Sequence, residues 1–293
     1  MLSPSIEQMA CLDPFERFAF RLSHSVNRHP VLKRAAHAYL RGFGAWWVHR
    51  CTRHLLHVEG GDYLRDLHPH TGVALVCNHR SFFDLYVVSS ILLRRSSWIE
   101  RMYFPVRSSY FYERLDGIAV NAAMSALAMY PPILRAPSKR AFNQFSVDVL
   151  TELARARGTV VGLHPEGTRN KSDDPYDLLP AQPGIGQIVH AARPVVIPAF
   201  VLGLGNDLPR QIRGNFDRSG EPITIVFGKP VELGDLFEAQ GRLRTYKRVA
   251  DRLRDTLLEL GRRDRELRRA RGWPCKAPAP APARTDALHA APP

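Results

Sequence analysis

The sequence has 293 residues, of which 45% are hydrophobic and 24% are charged. This composition is typical of a globular protein and excludes a chain that is disordered throughout. Lysine and arginine number 41 against 28 acidic residues, which gives a formal net charge of +13. Net charge alone does not distinguish nucleic acid, an anionic membrane surface and a phosphorylated substrate as the partner.

The start of the chain lacks the pattern of a secretory signal. Residues 1–10 have no basic start, and Glu7 and Asp13 interrupt the place of an apolar region. No apolar run of about 18 residues occurs, so a conventional membrane-spanning helix is not expected. The nearest approach, residues 117–134, is uncharged but contains Asn121 and a pair of prolines. This segment is predicted to be buried or interfacial.

Residues 1–59 are predicted to form basic amphipathic helices. Basic residues alternate with apolar ones from residue 15 to residue 57 at the spacing of one helix face, and Pro30 divides this stretch into two helices. Such a pair, with Trp46 and Trp47 near its end, suits an anionic membrane surface. It would place the protein peripherally or monotopically on the cytoplasmic face of a membrane. The same spacing fits two helices that pack on a domain and expose their basic side.

Residues 60–260 are predicted to form one α/β domain. Short, continuously apolar segments alternate with helical patterns, as in strands that are covered on both faces. The predicted strands are 73–77, 102–106, 159–163, 195–201 and 223–227. The predicted helices are 81–93, 138–157 and 246–260. The pattern indicates a mixed, largely parallel sheet flanked by helices.

The last segment, residues 261–293, is first highly charged and then rich in proline and alanine. Such a sequence buries too little apolar surface to offset its ordering entropy, so a disordered tail is expected. Acidic residues interrupt the basic stretch 242–276, as they do in a solvated helix. Nucleic acid is therefore not expected as a partner.

A polar loop with the sequence NHRSFFD follows the first predicted strand, at residues 78–84. Ligands of α/β folds gather at the carboxyl ends of strands. If His79 and Asp84 meet, Asp84 can hold one ring nitrogen and leave the other free as a general base. Alternatively, Asp84 only caps the following helix, because Ser81 and Asp84 have the spacing of a capping box.

A second polar turn, PEGTR at residues 165–169, follows the predicted strand 159–163. Gly167 lets a ligand approach the backbone, and Arg169 with nearby amide groups can bind an anion such as phosphate. Glu166 can orient a hydroxyl group or anchor an arginine. Taken alone, this segment is more often an ordinary turn with a surface Glu–Arg pair.

Together, the two segments resemble motifs I and III of the phospholipid/glycerol acyltransferase family, typified by 1-acylglycerol-3-phosphate acyltransferase. His79 and Asp84 form its HX4D motif, and PEGTR follows in the same order, again after an apolar strand. The resemblance extends over residues 58–231 and includes 195–200 at the place of the apolar fourth motif.

The resemblance implies roles for these residues. His79 would be the catalytic base and Asp84 the residue that orients it. The implied acceptor-binding residues are Glu166, Gly167, Thr168 and Arg169. The implied reaction is attack of an acceptor hydroxyl on the thioester of acyl-CoA or acyl carrier protein. It needs no metal, no cofactor and no acyl-enzyme.

The sequence departs from the family pattern at three places. The second motif usually contains a glycine, which residues 132–135 lack. Arg135 is therefore either the phosphate ligand that this motif implies or a surface arginine. Gln182 replaces a common lysine, which removes one cation from the implied phosphate region. His164 stands where an aromatic or aliphatic residue is usual, and is predicted to be a strand-end residue.

The expected function is acylation of a lysophospholipid or glycerol phosphate-type acceptor, above all 1-acylglycerol-3-phosphate. Residues 118–134 are candidates for an acyl tunnel or a membrane contact. One alternative is an acyl-thioesterase, in which water replaces the acceptor. Another is a catalytically silent peripheral membrane or nucleic-acid-binding protein of the same fold. Metal binding is not expected, since no cysteine or carboxylate with ligand spacing accompanies the histidines.

Overall fold

The computed structural model describes residues 1–107 and 110–276, and a six-stranded sheet lies at its centre. The strands are β1 (Leu56–Glu59), β2 (Val73–Cys77), β3 (Arg101–Tyr103), β4 (Val106–Arg107), β5 (Pro132–Ile133), β6 (Thr159–Leu163), β7 (Val195–Leu202) and β8 (Ile223–Phe227). The order in the sheet is β1-β8-β7-β2-β6-β3, and β4 pairs with β5 in a separate ribbon.

The sheet is mixed and largely parallel, as predicted. Strand β2 runs parallel to both of its neighbours, β6 and β7, whereas β7 and β8 are antiparallel. Val76 lies opposite Leu163 in the pairing of β2 with β6. The carboxyl ends of β2 and β6 therefore lie side by side at one edge of the sheet.

Helices surround the sheet. They are α1 (Ile6–Ala10), α2 (Pro14–Arg28), α3 (Pro30–Tyr39), α4 (Ala45–Arg50), α5 (Asp84–Arg95), α6 (Leu115–Ser125), α7 (Arg140–Arg155), α8 (Pro183–Ala192), α9 (Leu208–Asp217), α10 (Gly234–Glu238) and α11 (Leu243–Ala270). A π-helix (Leu40–Gly44) joins α3 to α4, and short 3-10 helices occur at Asp62–Leu64 and Pro137–Lys139. Across 1–107 and 110–276, no helix has both the length and the apolar character needed to cross a bilayer.

The apolar core explains why the strands are continuously hydrophobic. Successive residues of a strand point to opposite faces of the sheet. Ala74 and Val76 of β2 pack in a cluster with residues of α7, α8 and α11. Val73, Leu75 and Cys77 of the same strand pack in a second cluster with residues of α5. Both faces of β2 are therefore covered, and all five of its residues are buried.

The N-terminal helices pack against the domain through a buried lysine. The Nζ of Lys33 in α3 donates to Asn27 Oδ1 at 2.8 Å and to the carbonyl of Met102 at 2.9 Å. The same Nζ lies 3.8 Å from the ring centre of Tyr103 in β3. Two helices that meet at Pro30 are thus present, and they are docked on the sheet.

The predicted domain boundaries at 59 and 260 both differ from the structure. Residues 56–59 form β1, which pairs with β8, so they belong to the sheet. At the other end, α11 continues to Ala270. Arg268, which is 1% exposed, pairs with Asp264 at 3.1 Å and donates to the carbonyl of Leu202 at 3.0 Å. This buried network holds residues 261–270 in the domain. Residues 277–293 of the predicted tail lie outside the described part.

Smaller differences concern single elements. The helix predicted at 81–93 begins at Asp84, and the strand predicted at 102–106 divides into β3 and β4. The uncharged segment 117–134 forms most of α6 and all of β5. This segment is largely buried from Leu127 to Leu134, as expected of a buried segment.

Candidate active site

The two polar motifs meet because β2 and β6 are parallel neighbours. His79 follows the end of β2, and the PEGTR turn follows the end of β6. Asn78 fixes the first loop to β7, since its side chain donates to the carbonyl of Val201 at 2.9 Å and accepts from the N–H of Val201 at 2.8 Å. The candidate site thus lies at the carboxyl edge of the parallel strands, where α/β folds bind ligands.

His79 and Asp84 form a hydrogen-bonded pair. The Nδ1 of His79 lies 3.3 Å from Oδ2 of Asp84, so the imidazole donates Nδ1–H to the carboxylate. The same oxygen accepts the backbone N–H groups of Arg80 and Ser81, each at 2.7 Å. Asp84 therefore accepts the backbone hydrogen bonds of the loop before α5 and also orients the imidazole. The predicted capping box is absent, because α5 begins at Asp84 itself, with Phe83 as its N-cap and no side-chain hydrogen bond to the cap.

The pKa values of the pair leave the imidazole unprotonated at neutral pH. Burial lowers the pKa of His79 to about 3, and the positive charge of Arg169 adds to this effect. Burial also raises the pKa of Asp84 to about 6, although hydrogen bonds from the backbone at Ser81 and Arg80 oppose the rise. At neutral pH the pair is thus a neutral imidazole and a carboxylate. Because Nδ1 faces Asp84, Nε2 of His79 is the ring nitrogen that can accept a proton.

Glu166 ties the two motif loops together. One carboxylate oxygen accepts the backbone N–H of His79, and the other accepts the backbone N–H of Leu179, both at 2.9 Å. Glu166 is only 1% exposed, and burial raises the pKa of its carboxyl group. Asn170 completes the connection, since its backbone N–H donates to the carbonyl of His79 at 2.8 Å. Neither oxygen of Glu166 is left without a backbone donor.

The rest of the PEGTR turn supplies a tight glycine turn and a positive charge. Gly167 has a φ of +65°, and a Cβ at this position would lie 2.8 Å from Cγ of Gln182. The guanidinium group of Arg169 lies 3.7 Å from the ring centre of Phe82. Within 1–107 and 110–276, neither Arg169 nor Thr168 has a side-chain hydrogen bond or an ion pair. Arg169 is thus a partly buried cation with capacity to bind an anion.

His164 lies in the site, although its sequence position predicted only a strand-end residue. Its ring is stacked on that of His79, with the ring centres 3.8 Å apart and the planes inclined by 9°. Its Nδ1 lies 3.0 Å from the backbone carbonyl of Cys77. The sequence signal was present, because His164 follows β6 as His79 follows the neighbouring strand β2. That signal becomes visible only once the pairing of the two strands is known.

Arg135 is not joined to this site by any contact of the described residues. It is exposed and follows β5, which belongs to the separate ribbon. Arg80 is a neighbour of the site that the sequence motifs did not indicate. Its side chain extends to the loop after PEGTR. It donates to Ser172 Oγ at 3.2 Å and to the carbonyl of Asp174 at 3.4 Å.

The chain is similar to known proteins in structure and in sequence. Among solved structures, the chain is similar to the 1-acyl-sn-glycerophosphate (LPA) acyltransferase PlsC from Thermotoga maritima. The TM-score is 0.46 and the sequences are 14% identical, over 83% of this chain and 87% of that chain. No curated protein matches the sequence. A family model described as Acyltransferase matches residues 56–202, which is half of the chain. The protein therefore belongs to the acyltransferase family.

Proposed function

We propose that the protein transfers a fatty acyl group from acyl-CoA or acyl carrier protein to the hydroxyl of a lysophospholipid or glycerol phosphate-type acceptor. The preferred acceptor in this proposal is 1-acylglycerol-3-phosphate. The contact between Nδ1 of His79 and Oδ2 of Asp84, which leaves Nε2 as the ring nitrogen that can accept a proton, is the observation that carries the proposal. Membership of the acyltransferase family supplies the reaction class.

The reaction needs one base and no covalent enzyme intermediate. Nε2 of His79 takes the proton of the acceptor hydroxyl while the oxygen attacks the thioester carbonyl carbon. The new C–O bond forms, the C–S bond breaks, and the departing thiolate takes the proton from the imidazolium. The carboxylate of Asp84 stabilises that imidazolium and holds the ring in place. No cofactor beyond the acyl donor takes part.

Arg169 is the proposed ligand of the acceptor phosphate. Its guanidinium group has no carboxylate partner within the described ranges, and planar guanidinium groups match phosphate geometry. Phe82 supports it from one side. Thr168 lies next to it in the turn and provides a hydroxyl group, and Gly167 gives the turn its left-handed backbone beside Gln182. In this proposal Glu166 acts indirectly, by fixing the loop that carries His79.

Membrane association is a second part of the proposal. Phe15, Phe18 and Leu22 lie on one stripe of α2 and are exposed, as are Phe43 and Trp46. An exposed apolar stripe on a protein with a net charge of +13 is typical of binding to an anionic membrane surface.

Vesicle cosedimentation tests this association. The protein should bind vesicles that contain phosphatidylglycerol more strongly than phosphatidylcholine vesicles, and the double variant F18S/W46S should lose most of the binding. Leu243→Ser, at an exposed apolar residue that begins α11, is the control and should bind like the wild type. Equal binding by F18S/W46S and the control would contradict the membrane role.

An acceptor panel tests the transferase itself. Purified protein is incubated with acyl-CoA or acyl carrier protein donors and with 1-acylglycerol-3-phosphate, glycerol 3-phosphate or lysophosphatidylcholine, and the products are identified by mass spectrometry. A new ester on a phosphate-bearing acceptor is the expected product. Free fatty acid formed at the same rate without an acceptor would favour the thioesterase. No product from any donor would favour the silent binding protein.

A further inference from the structure

The stacked ring of His164 has no part in the reaction described above, although it covers one face of the proposed base. The two ring centres are 3.8 Å apart, with planes inclined by 9°. Nδ1 of His164 lies 3.0 Å from the carbonyl oxygen of Cys77, an obligatory acceptor, so this nitrogen carries the proton. Nδ1 of each imidazole thus donates to a separate acceptor. This acceptor is the Asp84 carboxylate for His79 and the Cys77 carbonyl for His164.

We propose that His164 is a positioning residue for His79, a neutral aromatic platform that fixes the plane of the catalytic imidazole and excludes water from its face. This inference rests on the proposed role of His79 as the base. His164 touches His79 and the backbone of β2, and it need not touch the substrate.

A hydrogen bond alone leaves the imidazole poorly oriented. The second side-chain torsion of histidine is broad, and the contact of His79 with Asp84 is long at 3.3 Å. A parallel ring in van der Waals contact removes most of the remaining rotation. Since His164 is itself held by the Cys77 carbonyl, the platform has a fixed plane of its own.

Burial keeps the platform neutral. Asp84, Glu166, Arg80 and Arg169 are the charged groups around the two rings, and the Cys77 thiol lies 3.5 Å from Nδ1 of His164. Burial and the neighbouring His79 ring together lower the pKa of His164 to about 3, although the charge of Asp84 and the backbone at Cys77 and Asn78 oppose the shift. When His79 takes the acceptor proton, a neutral ring face lies against the new cation, which is a favourable arrangement.

Two substitutions of His164 distinguish the contribution of its ring from that of its hydrogen bond. His164→Phe keeps an aromatic face but loses the donor to Cys77, whereas His164→Asn keeps an N–H donor but loses the ring. We expect kcat of His164→Asn to fall by about 10- to 100-fold with the acceptor KM within about twofold of wild type. His164→Phe should recover kcat to within about threefold of wild type. Equal losses in both variants would overturn the proposal.

A second readout needs no turnover. The Cε1–H resonance of His79 is assigned by its absence in His79→Ala, and its titration is followed by NMR. In the wild type and in His164→Phe this resonance should show no protonation of the imidazole between about pH 8 and about pH 5, apart from a small step near pH 6 caused by protonation of Asp84. In His164→Asn water reaches the ring, so the titration should move upward, toward the ordinary histidine range.

The two readouts distinguish failure of this inference from failure of the proposed function. Poor folding of His164→Asn would lower the active fraction but would not shift the titration of His79 in the folded molecules. An unchanged titration in His164→Asn would overturn the platform. If the wild type transfers no acyl group, the proposed function fails, and the NMR titration still decides whether the His164 ring excludes water from His79.

Discussion

A single oxygen of Asp84 accepts three hydrogen bonds: from Nδ1 of His79 at 3.3 Å and from the N–H groups of Arg80 and Ser81 at 2.7 Å. The atom that shapes the loop is therefore the atom that orients the base. In Asp84→Asn the amide oxygen can still accept the backbone N–H groups, but the charge that stabilises the imidazolium is gone. We expect kcat to fall by roughly 100-fold or more with a small change in melting temperature. Wild-type kcat in this variant would exclude the dyad.

The pair of His79 and Asp84 also predicts how activity falls at acidic pH. The pKa of Asp84 is raised to about 6, so the carboxylate is charged above this pH and protonated below it. Protonation removes the acceptor that orients His79, and kcat/KM should therefore fall as the pH drops below about 6. The pH profile of kcat/KM measures this inflection. It should be absent from the residual activity of Asp84→Asn, and its persistence there would assign the acid limb to another group.

Arg169 should affect acceptor binding more than chemistry. Arg169→Gln removes the cation that is proposed to hold the phosphate, so the acceptor KM should rise by about 10-fold or more. Arg135→Gln is the matched variant, because Arg135 is exposed and no contact of the described residues joins it to His79. We expect the KM of Arg135→Gln to stay within about twofold of wild type. A rise equal to that of Arg169→Gln would place Arg135 in the acceptor site.

Glu166 links stability to activity. Both of its oxygens accept buried backbone N–H groups, those of His79 and Leu179. The side chain of Glu166→Gln has one acceptor oxygen, so one N–H loses its partner at a cost of about 1–3 kcal/mol. Thermal unfolding should show this loss together with a reduced kcat. Glu232→Gln, at an exposed glutamate, should change neither quantity, and a Glu166→Gln variant as stable and active as this control would contradict the linking role.

Lys33 should make stability depend on pH. Burial lowers its pKa from 10.5 to about 7 in the folded protein, so between these values the unfolded chain binds more protons. Stability should therefore rise with pH above about 7, by at most about 1.4 kcal/mol per pH unit from this group. Denaturant unfolding at about pH 7, 8 and 9 compares the wild type with Lys33→Met. Equal slopes for the two proteins would contradict a neutral buried Lys33.

Sequence patterns best predicted the elements that depend on neighbouring residues in the chain. The bounds of β2, β6 and β8 agree with the predictions because each is a short apolar run covered on both faces. The proximity of His79 and Asp84 also followed from local spacing. The short strand β1 escaped the prediction because its amphipathic residues continue the pattern of the helices before it.

Tertiary contacts decided the features that sequence patterns could not predict. Arg268 belongs to a charged run that is typical of a solvated helix, yet it is buried against carbonyl groups of β7 and the start of β8. Lys33 is buried for a comparable reason, since Asn27 and the carbonyl of Met102 accept hydrogen bonds from its Nζ. The stack of His164 on His79 depends on the pairing of β2 with β6, and no local pattern encodes that pairing.

Free-thiol release from acyl-CoA or acyl carrier protein tests the central claim most directly. It is measured with and without 1-acylglycerol-3-phosphate for the wild type, His79→Ala and the control His70→Ala, an exposed histidine. We predict release that depends on the acceptor in the wild type and in His70→Ala, and that falls by at least about 100-fold in His79→Ala. Thiol release that does not depend on the acceptor, or that is unchanged in His79→Ala, would contradict acyl transfer by His79.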